Sequence, residues 1–189
     1  MDRTAIFIDG TYLNKLLERE FNRARIDYHL LALHLARDVD ILRTYYYNCP
    51  PHQCSPPTDE ELARSRSSEQ FFGALRRLPR FEVRLGKLAY RGTDNDGRPI
   101  FIQKRVDIMF SVDLVQLAAT RQVTRAVLLA GDSDFVPAVE VAKSHGVLTV
   151  LCHGPMGPGS TNTVHHELWT ECDDRFELTG DVIETLRRR

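Results

Sequence analysis

Apolar and polar positions along this chain follow two periods that take turns. Runs of strand character, dominated by aliphatic, β-branched and aromatic residues, occur at residues 4–9, 41–47, 126–130 and 147–152. The run at 126–130 is too apolar for a half-exposed strand and predicts the buried centre of a parallel sheet. Between the strands, apolar residues recur at helical spacing. Leu13, Leu16, Leu17 and Phe21 predict a first helix, entered through Gly10, which is expected to permit a sharp turn. Asp27 can cap a second short helix carrying Leu30, Leu31, Leu33 and Leu35. Thr58 with Glu61 forms a capping-box pattern, which predicts a helix over 59–78 stopped by Pro79. Phe81, Val83 and Leu85 alternate as a strand, and Asp96-Gly97 predicts a hairpin turn returning through 99–102. A helix from 104–107 to 121 is apolar on most sides, as a central crossover helix would be. Another spans 134–145, with Gly146 just past its end. The four prolines of 49–57 exclude regular structure there. The segment 154–160 is a loop, and a short helix and a strand at 176–178 close the domain. Strands alternating with helices predict an α/β fold with a mainly parallel sheet and right-handed crossovers.

Composition narrows the setting more than the chemistry. At 189 residues the chain is expected to form one domain that buries its core without disulfides or metal staples. No apolar run approaches membrane-spanning length, no signal-peptide pattern precedes the first strand, and four irregularly spaced cysteines suit reduced thiols. A cytoplasmic location is therefore expected. The net charge of −1 is uninformative, but its distribution is not. Residues 76–105 carry nine basic and three acidic side chains, whereas 107–189 carry twelve acidic and seven basic. A basic strip beside an acidic pocket would suit a polyanion held over a cation; a solvated charged face would look the same in composition.

The candidate chemistry lies at strand exits. The runs 5–8 and 126–130 deliver Asp9 and, through Gly131, Asp132 and Asp134 to one sheet edge if their strands are neighbours. Asp107, near the start of a helix, is the fourth candidate. Singly, these are ordinary strand-exit and cap residues. Together they repel: two unit charges ~4 Å apart cost about 4 kcal/mol at an effective dielectric of about 20. Protons or a cation must offset this. Oxygen-only ligands favour Mg²⁺ or Mn²⁺, and such an ion can activate water for phosphodiester hydrolysis without a His or Ser nucleophile.

The segments Phe7-Ile8-Asp9-Gly10, Lys104-Arg105-Val106-Asp107-Ile108 with Val112-Asp113-Leu114, and Gly131-Asp132-Ser133-Asp134-Phe135-Val136-Pro137 resemble the NYN domain, the branch of the PIN-like nuclease superfamily that includes LabA-like bacterial proteins. The resemblance covers almost the whole chain. It implies a Rossmann-like three-layer sandwich with helices on both faces of a sheet of order 3-2-1-4-5, so that strands 1 and 4 adjoin. It implies one NYN domain over 1–189, with a basic hairpin insertion around 86–103. It implies Asp9, Asp107, Asp132 and Asp134 as a catalytic, metal-holding set for Mg²⁺ or Mn²⁺, and single-stranded RNA as the partner of an endoribonuclease. The family's first motif usually carries an Asn two residues after the Gly, where this chain has Tyr12; Asn14 is no substitute. Asp113 lies about 240° around the helix from Asp107 and is expected to support the fold rather than ligate. Ser133 is expected to join the water shell or cap the adjoining helix. Lys104, Arg105, Arg84, Lys87 and Arg91 would contact RNA, with Arg76, Arg77 and Arg80 extending a phosphate track. Tyr45, Tyr46, Tyr47 or Tyr90 could stack bases, although strand tyrosines more often pack.

Other readings compete with catalysis of this kind. A PIN-like module that binds RNA or regulates without cleaving is the main alternative. A haloacid-dehalogenase-type phosphatase shares Asp9-Gly10-Thr11 but would need its nucleophilic Asp where Phe7 stands. Cys49, His52 and Cys54 form a second candidate metal group, with Cys152 or His153 as a fourth ligand, at a spacing that matches no common zinc finger. His165 and His166 are expected at the surface or in loop packing. The oligomeric state is left open between monomer and homodimer.

Overall fold

A computed structural model describes residues 2–157, 160 and 164–188. A six-stranded parallel sheet runs through it in the order β3-β2-β1-β6-β7-β8. Its strands are β1 (Arg3–Asp9), β2 (Asp40–Asn48), β3 (Phe81–Leu85), β6 (Arg125–Leu129), β7 (Leu148–His153) and β8 (Asp174–Glu177). Strands β4 (Lys87–Thr93) and β5 (Pro99–Lys104) form a separate antiparallel hairpin. The expected order 3-2-1-4-5 is therefore present as β3-β2-β1-β6-β7. The short closing strand extends the sheet to a sixth position, because Val150 to His153 pair with Asp174 to Glu177.

Sheet residues of alternating parity feed two cores. Ile6, Ile8, Tyr46, Val127 and Leu129 pack with α1 (Gly10–Arg19), α2 (Tyr28–Ala36), α3 (Asp59–Arg76) and α7 (Gly180–Thr185). Ala5, Phe7, Tyr45, Tyr47 and Leu128 pack with α4 (Val106–Ala119), α5 (Val136–Ser144) and α6 (His166–Glu171) on the other face. Both faces of the central strands are thus dry, which explains their unbroken apolar character. Among the described residues, no helix is long and apolar enough to cross a membrane.

Local signals acted as expected at several boundaries. Asp27 accepts from the backbone N–H of His29 and Leu30. The Thr58–Glu61 capping box closes in both directions, at 3.2 and 2.9 Å. Gly146 follows α5 at φ +79°. Gly97 turns the hairpin at φ +76°, with Asp94 accepting from the N–H groups of Asp96 and Arg98. Two expectations need correction. Helix α4 is not enclosed: Ile108 and Val112 are 68% and 55% exposed, because the sheet and α5 cover only part of its surface. The helix expected at 134–145 begins instead as a 3-10 turn (Ser133–Phe135), and α5 proper starts at Val136 beside Pro137.

Candidate active site

The chain runs outward from β1 through β2 to β3, then crosses back to β6 on the other side of β1. This reversal makes the β1–β6 boundary the topological switch point, where open α/β sheets hold their ligands. Ile8 pairs with Leu129, so Asp9 and the Ala130-Gly131-Asp132 segment leave neighbouring strands side by side. Asp107 arrives from the first turn of α4, and Asp134 from the 3-10 turn before α5.

Each strand-exit aspartate also caps the helical turn after it. Asp9 Oδ1 accepts from the N–H of Thr11 at 2.9 Å and of Tyr12 at 3.1 Å. Asp132 Oδ1 accepts from Asp134 N–H at 3.1 Å. Asp132, not Ser133, is therefore the cap here: the turn opens at Asp132, whose extended backbone (φ −92°, ψ 140°) suits that position. In each case one oxygen is used locally, and a carboxylate has a second oxygen to offer.

Burial raises Asp9 from the ordinary 3.8 to about 6, against the lowering effect of its two backbone hydrogen bonds; the Asp107 carboxylate raises it further and Lys15 lowers it. Asp107 is also raised, by burial first and then by Asp132 and Asp134. Asp107 therefore stands electrostatically between Asp9 on one side and Asp132 and Asp134 on the other. Among the described residues, no three of them bring carboxylate oxygens within 4.8 Å of one another.

Glycines around the crevice are dictated by close approach. A Cβ on Gly10 would lie 2.5 Å from the Tyr46 ring and hydroxyl, and one on Gly131 would lie 2.4 Å from the Tyr12 ring. Gly10 is the first residue of α1, so the turn role predicted for it is replaced by a packing one. Tyr12 is 6% exposed, and its hydroxyl accepts from Gly154 N–H at 3.0 Å. It packs against Gly131 after β6 and is hydrogen-bonded by Gly154 after β7, so it braces both strand exits.

The NYN domain matches residues 3–177. The chain belongs to the NYN domain family. This places it in the PIN-like nuclease superfamily. An uncharacterized protein of Sinorhizobium fredii, y4oD, is 42% identical over 85 residues, covering 45% of this chain and 40% of that protein. The chain thus matches about two fifths of that relative's length. A crystal structure of a Vibrio parahaemolyticus protein of unknown function superposes with a TM-score of 0.65 at 20% identity, over 95% of this chain and 94% of that one. At that identity the likeness shows the fold.

Around this NYN crevice the basic residues divide into three groups. Lys87, Arg91, Lys104 and Arg105 are exposed on the hairpin and at the entrance to α4, and Lys87 pairs in register with Lys104. Arg84 is instead engaged within the domain, 3.1 Å from both Asp113 and Glu82. Asp113 also accepts from the Tyr47 hydroxyl at 2.9 Å, so it ties α4 to β2 and β3. Arg76, Arg77 and Arg80 do not extend the track. They precede β3, whose Leu85 end lies at the crevice edge, and five strand residues, roughly 16 Å, separate the two edges.

Tyr45, Tyr46 and Tyr47 are buried at 7%, 0% and 0%, which leaves Tyr90, 55% exposed, as the tyrosine able to stack a base. Of the candidate metal group Cys49, His52 and Cys54, Cys49 cannot be joined by Cys152, since the two thiols belong to cores on opposite sheet faces. His153 turns its Nδ1 to the Gly154 carbonyl. His165 and His166 are exposed, as expected.

Three residues at the crevice carried no sequence signal. Gln103 of β5 donates to the Thr11 hydroxyl at 2.6 Å, tying the hairpin to the first turn after Asp9. Asn48, at the exit of β2, donates to the Tyr46 hydroxyl at 3.1 Å, above Gly10. Only the hairpin's placement identifies Thr11 and Gln103 as neighbours, and they lie 92 positions apart in sequence. Next to Asp134, a cavity of about 460 Å³ is lined by Ser111, Val112, Val115, Pro137 and Val141.

Proposed function

We propose that this NYN domain is a Mg²⁺- or Mn²⁺-dependent ribonuclease acting on single-stranded RNA. The observation that carries the proposal is the convergence of Asp9, Asp107, Asp132 and Asp134 from three chain segments on one switch-point crevice, with Asp9 raised to about 6. A carboxyl raised chiefly by burial, with the Asp107 charge adding to the effect, suits a site that holds a cation or a proton. Asp9, Asp107, Asp132 and Asp134 would hold the cation directly or through waters. Bound there, it would supply a more acidic water and charge stabilisation on a phosphoryl oxygen.

The remaining work falls to this chain's own side chains. Lys104 and Arg105 stand at the entrance to α4, adjacent to Asp107, where they can hold the flanking phosphates. Lys87 and Arg91 continue the positive surface along the hairpin, and Tyr90 offers an exposed ring for a base. Hydrolysis forms one P–O bond to water and breaks one P–O ester bond in line with it, the departing oxygen taking up a proton. Membership of the NYN family supports RNA rather than DNA as the substrate.

A binding module without cleavage is the second reading, favoured because no three of the four carboxylates bring oxygens within 4.8 Å of one another among the described residues. Cleavage of labelled single-stranded RNA with Mn²⁺, Mg²⁺ or EDTA separates the two, using wild type and Asp132→Asn. Metal-dependent cleavage that Asp132→Asn abolishes is expected. RNA binding with no cleavage by stoichiometric wild type would establish the second reading.

A further inference from the structure

The Pro-rich loop after β2 carries a second group of ligands, separate from the aspartates. His52, Cys54 and Glu61 bring one ligand atom each, all within 4.8 Å of one another, and are the sole such trio among the described residues. We propose that this trio binds Zn²⁺ and staples the loop to the first turn of α3.

The donors select the ion. A thiolate, an imidazole and a carboxylate suit a borderline cation such as Zn²⁺, whereas Mg²⁺ and Ca²⁺ prefer oxygen alone. Three protein ligands leave the fourth tetrahedral position to water. With Zn–ligand bonds of about 2.0–2.3 Å, tetrahedral donors stand roughly 3.5 Å apart. The trio, already within 4.8 Å, need close by no more than about 1.3 Å, which the exposed Cys54 side chain can supply. Binding releases the Cys54 thiol proton to solvent, so one thiolate and one carboxylate neutralise the dication. That neutrality matters beside a helix N-terminus, which disfavours a net cation.

The ligands are already oriented. Glu61 Oε2 accepts from the N–H of Thr58 at 2.9 Å and of Cys54 at 3.2 Å, which fixes the carboxylate, and the Cys54 thiol hydrogen-bonds the same carboxylate, a bond that the ion would replace as the thiol loses its proton. The His52 ring packs on Phe101 with centroids 4.7 Å apart. His52 and Cys54 stand two residues apart, the spacing that places side chains on one side of an extended chain. Pro50, Pro51, Pro56 and Pro57 bracket them and reduce the freedom lost on binding. Through Phe101, the ion would also steady β5, whose Gln103 reaches Thr11.

The test uses full-length protein stripped of metal and titrated with Co²⁺, then Zn²⁺. Wild type should develop a thiolate-to-cobalt absorption band in the near ultraviolet, bleached by Zn²⁺. Cys54→Ser should abolish the band, while Cys49→Ser and Asp132→Asn keep it. Glu61→Gln preserves a capping oxygen and should weaken Zn²⁺ binding by about 10- to 100-fold. Zn²⁺ should also slow amide exchange over 99–104. No band in wild type, or a full band in Cys54→Ser, overturns the site. Loss of the band in Asp132→Asn would assign it to the aspartate crevice instead. Unchanged exchange over 99–104 would remove the link to the hairpin.

Discussion

Asp9→Asn isolates the cost of burying a charged carboxylate at the crevice. In metal-free protein the folded state holds the Asp9 carboxyl at about 6, against 3.8 as its ordinary value. That interval of about 2 pH units corresponds to ~3 kcal/mol at 1.36 kcal/mol per unit. The sign follows from linkage. A carboxyl raised on folding favours the native state below its unfolded pKa, and that advantage is lost as pH rises through about 6. Wild type at neutral pH therefore carries a penalty that Asn does not. Asn caps a helix as well as Asp, so the acceptor for Thr11 and Tyr12 N–H survives the change. In EDTA, urea unfolding should show Asp9→Asn more stable by ~2–3 kcal/mol at pH 7.5, with the difference falling below about 1 kcal/mol at pH 4. Millimolar Mn²⁺ should narrow the gap from the wild-type side, because a ligand of the native state alone stabilises it. Equal midpoints in EDTA at pH 7.5, or a difference undiminished at pH 4, would refute the reasoning.

Two further predictions address the frame of the site. Gly131→Ala should destabilise by roughly 1–3 kcal/mol, because its Cβ meets a Tyr12 ring that a hydrogen bond to Gly154 holds in place. The penalty should shrink in a Tyr12→Leu background, and an additive double-mutant cycle would count against the contact. Arg105 sits at φ +76° with no side-chain cap bond, and Arg105→Gly should raise stability by about 0.5–1 kcal/mol in thermal melts. The same change should lower the salt slope of RNA binding by about 1 if Arg105 contacts a phosphate, and an unchanged slope would remove it from the interface.

The sheet was legible because its signals are local. The runs at 5–8 and 126–130 are apolar on both faces, Thr58 and Glu61 declare a helix start, and Gly146 declares an end. None of these depends on distant partners. The hairpin's detachment was less visible, since Lys87–Thr93 and Pro99–Lys104 look like any antiparallel pair and their separation from β3 is a tertiary outcome. Tyr46 and Tyr47 have strand character in sequence, but whether a strand tyrosine packs or stacks a ligand depends on which layer covers it. Arg84 illustrates the same limit: its charge fits a basic strip until Asp113, 29 positions away, takes it up.

Parallel topology turns strand direction into a sorting rule for charge. All strand exits face the crevice, so Asp9, Asn48 and Asp132 gather there, while Arg76, Arg77 and Arg80, entering β3, are consigned to the far edge. Helix starts return to the crevice edge, which is why Asp107 and the His52–Cys54–Glu61 trio both lie at helix N-termini on that side. The crevice edge therefore collects candidate ligand groups of two chemical kinds, carboxylates alone around α4 and a carboxylate with a thiol and an imidazole at α3. The hairpin carrying Lys87, Arg91 and Lys104 touches both, through Gln103 to Thr11 and Phe101 to His52. Its cations are positioned from two sides by contacts that no charge count along the chain reveals.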